Sequence, residues 1–187
     1  PQKGWSASPC AALVMMSPHA RARLDKTTSS SFANDLKKWT QITETYEDGA
    51  HAYHATMPTD ALRHFRDALV EAEGFGLDAL KAAQIRLGQE VRELMNRYQY
   101  KSVAAAGFEA PSVVVCFAPN AEMKTGKAFA AQGLQIAAGV PLECGEREDY
   151  ASFRIGLFGM DKLTEIDRTV AHLETALEGI RGQNAPA

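Results

Sequence analysis

The sequence predicts a mixed α/β chain in two parts, with residues 1–58 as the end of one unit and residues 59–187 as a whole, compact α+β unit. Three observations carry this expectation. Residues 11–17 (AALVMMS) are a short, continuously apolar run, the pattern of a strand buried on both faces in a helix-covered sheet. Leu80, Ala83, Leu87, Val91 and Leu94 recur at three-to-four spacing, as do Ile166, Val170, Leu173, Leu177 and Ile180, each set marking one apolar helix face. Between them, residues 112–118 (SVVVCFA) are β-branched and aromatic enough to form a strand.

Each element has a local reason. Ser17 and Pro18 suit a helix start, cap then first helical position, leading into HARARLDK. Ser31 and Asp35 prepare a second helix over 32–46, which the glycine of EDGAH breaks. The irregular stretch HAYHATMP ends at Pro58, where Thr59 is placed to cap a long helical region to about residue 100, punctuated by Gly74 and Gly76. After the strand at 112–118 the pattern predicts a helix over 123–132, two short strands in LQIAAGV and SFRIGLFG, and a last helix over 162–180 ending in Gly182. A lone buried strand and a helix pair cannot close a core. Residues 1–58 are therefore expected to be the tail of a truncated domain, followed by a complete one.

Composition narrows the function classes. The 187 residues are 45% hydrophobic and 23% charged, the range of ordinary globular chains. A net charge of −3 and a pI near 6.0, with both signs interleaved, give no electrostatic footprint for nucleic acid or an anionic membrane. Cys10, Cys116 and Cys144 are odd in number and lack CxxC spacing, which argues against a disulfide framework or a zinc site and fits packing residues in a reducing compartment. No apolar stretch approaches the roughly 20 residues of a membrane-spanning helix, and no signal-peptide layout opens the chain. The cytoplasm is the expected location.

Three motifs carry chemistry: QKGWSASP before the apolar run, AYHATMP after a helix, and FRIGLFG before the last helix. In that order they resemble the pyridoxal-phosphate enzymes of the alanine/serine–glyoxylate aminotransferase family, class V of the fold type I transferases. The resemblance covers essentially the whole chain. It implies an α/β fold type I architecture: residues 1–58 close the large cofactor domain, and residues 59–187 form the small C-terminal domain. It also implies that the front half of the enzyme is missing here, since this sequence begins within a few residues of the family's cofactor lysine.

By that resemblance Lys3 forms the Schiff base with pyridoxal 5′-phosphate and, once freed, is the base that moves the substrate Cα proton. A solvated surface lysine is the plain alternative. Tyr53 and Thr56 are similar to the loop residues with which these enzymes hydrogen-bond the cofactor phosphate of a neighbouring subunit, implying a homodimer with shared active sites. His51 and His54 lie in the same stretch, but without carboxylate or cysteine partners nearby no metal site is expected. Arg154 is a cation inside an apolar run and must have a partner. That partner is either a structural carboxylate or, by the resemblance, the substrate carboxylate held in a two-pronged grip. The implied reaction moves an amino group from alanine or serine to glyoxylate or pyruvate. A relative using 2-aminoethylphosphonate is an alternative, as is a noncatalytic fragment that only folds or dimerises. The family's pyridine-nitrogen aspartate, stacking aromatic and phosphate loop cannot be assigned, so the 187 residues alone are expected to be inactive.

Overall fold

The structure is a computed structural model that describes residues 1–183; the end of the expected second domain, 184–187, lies outside the described residues. It divides into two compact units, one holding Pro1 and Ser8–Arg66, the other Gln2–Ala7 and the chain from Asp67 onward.

In the first unit, α1 (Pro18–Leu24) begins as the sequence predicts, with Ser17 Oγ accepting from the Ala20 amide at 3.2 Å. Helix α2 (Leu36–Glu47) starts four residues later than expected. Ser31 accepts from the Asn34 amide instead, which closes a turn, and Asp35 takes over as the cap by accepting from the Lys38 amide at 3.0 Å. Its C-terminus is a Schellman turn: Gly49 at φ 78° donates to the Tyr46 carbonyl and Ala50 to the Thr45 carbonyl. Arg21 pairs with Glu44 at 2.9 Å, joining α1 to α2.

The apolar run 11–17 is not a strand. It has no strand assignment, and Leu13, Val14 and Met15 are 44%, 49% and 87% exposed. A strand needs a neighbour to take its amides and carbonyls, and the sheet of this chain is built from other segments. Helix α3 (Thr59–Phe75) then carries the chain into the second unit. The Pro58 carbonyl accepts from the Leu62 amide, so Thr59 is the first helical residue rather than the cap.

In the second unit, Gly76 at φ 101° separates α3 from α4 (Leu77–Arg97), while Gly74 stays inside α3. Next come β1 (Val113–Phe117), α5 (Ala121–Thr125), α6 (Lys127–Ala130), β2 (Ala137–Ala138), β3 (Ser152–Gly156), α7 (Met160–Thr164) and α8 (Ile166–Gln183). The single helix expected over 123–132 is split by Gly126, which sits at φ 78°. The last helix is likewise two, broken at Glu165. Gly182 does not end α8, because it is absent from the positive-φ glycines and a glycine stops a helix by adopting that conformation.

The three strands form an antiparallel sheet in the order β1-β3-β2, with β3 central. Alternation along β3 sends Phe153 and Ile155 into the core with Leu87, Val91 and Leu94 of α4, Phe129 of α6, and Leu173, Leu177 and Ile180 of α8. Arg154, between them, projects from the opposite face. Cys116 packs in this core, where burial pushes its thiol up to about 11. Cys144 is exposed, so packing does not account for it.

Candidate functional site

The first unit brings two of the sequence-predicted residues together. The Tyr53 and Thr56 hydroxyls lie 3.2 Å apart on an exposed loop. One hydroxyl donates to the other, which leaves the second hydroxyl hydrogen for an acceptor outside the pair. His54, which follows Tyr53 in sequence, is turned the other way. Its Nε2 donates to the Phe32 carbonyl at 3.1 Å, and its ring lies 4.2 Å from that of Phe32 and 4.9 Å, edge-on, from Trp39. His51 packs edge-on against Tyr46. Among the described residues, no group of three or more His, Cys, Asp or Glu is arranged to hold a metal ion, and no helix is long and apolar enough to cross a membrane.

The second unit holds Lys3 and Arg154. Lys3 is exposed in a turn closed by the Ser6 amide donating to the Lys3 carbonyl at 3.1 Å, and Ser6 sits at φ 51°. Among the described residues the Lys3 side chain has no hydrogen-bond or ion-pair partner, so its amine is open to a ligand. This turn lies beside the one that follows β3: a Cβ added to Gly159 would come within 3.1 Å of Ser6 Oγ and 2.5 Å of Asp161 Oδ1. Gly159 is at φ 106°, a conformation that favours glycine.

Arg154 is half-buried on β3, opposite Val115 of β1 and Ala137 of β2. Its Nε donates to the Ala138 carbonyl at 2.9 Å, which orients the guanidinium. No carboxylate pairs with it among the described residues, and Nη1 and Nη2 carry no hydrogen bond there. Among the described residues, no structural ion pair accounts for this half-buried arginine. What remains is a planar pair of donors matched to a carboxylate.

Two features of this site left no mark in the sequence. The Ala138 carbonyl that aims Arg154 is a backbone group and carries no residue signature. The link from β2 to β3 is organised by Glu146, which accepts from the amides of Leu142, Glu143 and Cys144 at 2.5, 2.8 and 2.9 Å. Those amides, Cys144 first and Glu143 next, hold its carboxyl down at about 2.

No family model matches the chain, and no curated protein sequence matches it. Solved structures do. An alanine–glyoxylate aminotransferase from Nostoc sp. superposes with a TM-score of 0.70 at 21% identity, over 96% of this chain and 46% of that one. An aspartate aminotransferase of subgroup IV from Thermus thermophilus superposes with a TM-score of 0.63 at 19% identity, over 88% of this chain and 43% of that one. The chain thus spans less than half the length of either structure, and its mixed helix-and-sheet fold is one found in aminotransferases.

Proposed function

We propose that the chain is the C-terminal half of a fold type I, class V aminotransferase that uses pyridoxal 5′-phosphate to move an amino group from alanine or serine to glyoxylate or pyruvate. The observation that carries this reading is Arg154: anchored through Nε to the Ala138 carbonyl, with both Nη groups free of protein partners among the described residues. Such a group selects a small ligand with a carboxylate and fixes its orientation.

The residues present fit the cofactor. The Tyr53–Thr56 pair keeps a hydroxyl hydrogen for a phosphate oxygen, and neutral donors hold a dianion without competing for the substrate's own carboxylate. Lys3 supplies the primary amine that holds the cofactor by its aldehyde. When bound, pyridoxal phosphate supplies an electron sink that acidifies the substrate Cα–H. With the cofactor bound, the Lys3 amine would be the group that accepts the substrate Cα proton. Arg154 keeps that Cα–H bond in a constant orientation by gripping the carboxylate.

In this reading Tyr53 and Thr56 serve the site of a second subunit, the enzyme is a homodimer in the cytoplasm, and an upstream half supplies the rest of the cofactor pocket. A second reading, in which the 187 residues alone only fold or pair, is favoured by the exposed run Leu13, Val14 and Met15, which suits a strand completed by a sheet from elsewhere. The test is amino transfer by the full-length enzyme from alanine or serine to glyoxylate or pyruvate. Transfer supports the first reading; no transfer from any small amino acid to either acceptor overturns it.

A further inference from the structure

We propose that His54 is the positioning residue of the Tyr53–Thr56 pair, a clamp that pins its loop to the start of α2 and thereby sets the grip on a phosphate group. The inference rests on the phosphate-binding role given to that pair above, and the geometry supplies the rest. A hydroxyl pair on an irregular loop has little to hold its direction, because the stretch from 51 to 58 has neither helix nor strand. His54 supplies three fixings at once. Its Nε2–H donates to the Phe32 carbonyl, one ring face meets Phe32, and Trp39 meets the ring edge-on.

The clamp is itself anchored. Trp39 Nε1 donates to the Ala33 carbonyl at 2.8 Å, and Trp39 lies one turn into α2, whose first turn is capped by Asp35. The carbonyl acceptor fixes which His54 nitrogen carries the proton, so the ring has one orientation and the backbone on either side of it follows. With His54 directed toward Phe32 and Trp39, the exposed Tyr53 and Thr56 side chains are left to meet each other at 3.2 Å. A loop prepared in this way binds a phosphate without first losing its own conformational freedom.

The experiment compares two ligands that differ only in the phosphate, pyridoxal 5′-phosphate and pyridoxal, by absorbance titration of the full-length enzyme and its variants. Tyr53→Phe weakens the phosphate form by roughly ten- to a hundredfold, the range of one hydrogen bond to a charged group, and leaves pyridoxal unchanged. His54→Ala is expected to do the same. His54→Gln, which can still donate to the Phe32 carbonyl, and His54→Phe, which keeps the ring contacts, each recover part of the loss. If His54→Ala weakens both ligands equally, or neither, the positioning role is overturned while the Tyr53 result stands. If Tyr53→Phe leaves the discrimination intact, or the unsubstituted enzyme does not favour the phosphate form, the phosphate-binding reading itself fails.

Discussion

Replacing Arg154 with glutamine separates what this residue does for the fold from the grip on a substrate carboxylate proposed for it. Among the described residues its side chain makes one hydrogen bond, from Nε to the Ala138 carbonyl at 2.9 Å. Losing one hydrogen bond from a charged donor costs about 1.5–3 kcal/mol. The substrate side is larger, since Nη1 and Nη2 offer two bonds to a carboxylate at roughly 1.5–3 kcal/mol each. Their sum, about 3–6 kcal/mol, corresponds to a fall in kcat/KM of roughly a hundred- to ten-thousandfold. Urea unfolding and steady-state transamination, both on the full-length enzyme, measure the two quantities. Arg154→Lys should fall between, because an ammonium keeps the charge and loses the paired geometry. The reasoning is refuted if Arg154→Gln retains kcat/KM within a few-fold of the parent, or if its loss of stability in kcal/mol exceeds its loss in transition-state binding.

Two glycines in helices should respond oppositely to alanine, an outcome read from urea midpoints. A Cβ at Gly88 would lie 2.6 Å from the Pro111 carbonyl oxygen, so overpacking of about 1–3 kcal/mol outweighs a helix-propensity gain of about 1 kcal/mol; Gly74 has open space and should gain about 0.5–1 kcal/mol. The Glu146 carboxyl is held at about 2 in the fold against an ordinary 4.5. The unfolded chain therefore binds the extra proton between those values, and the stabilisation is full above 4.5 and lost as pH falls toward about 2. Glu146→Gln should remove that part of the pH dependence from the unfolding midpoint, and parallel profiles for the two proteins would contradict it. Alkylation of the native chain near pH 8 should label exposed Cys144 and spare Cys116, whose thiol is buried and raised to about 11; equal labelling would contradict the core placement.

The second unit was legible because its signals are local and redundant. The spacing of Leu80, Leu87, Val91 and Leu94 marks the buried face of α4, and the VVVC run marks β1. What the sequence hid were choices between equivalent local partners. Ser31 and Asp35 are both good caps, and only the structure assigns one to a turn and the other to the helix. Gly126 and Gly182 look alike as punctuation, yet one takes a positive φ and the other does not. Residues 11–17 read as a strand because apolarity is visible in sequence, whereas the availability of a pairing partner is not.

Arg154 stands out in sequence as a cation in an apolar run, and that no carboxylate pairs with it among the described residues is visible only in three dimensions. Tyr53 and Thr56 stand out only through the resemblance, whereas the 3.2 Å approach of their hydroxyls is a feature of the fold. His54 had two possible outlets, solvent or packing. Its contacts with Phe32, more than 20 residues away, lie beyond any local pattern.

Everything proposed for the reaction depends on Lys3. The decisive measurement adds pyridoxal 5′-phosphate to the full-length enzyme, reduces the adduct with borohydride and maps the modified peptide. The cofactor mass is predicted on Lys3, and Lys3→Ala should abolish it. Modification at a different lysine, or none, would contradict the aminotransferase reading and leave Lys3 an ordinary surface residue.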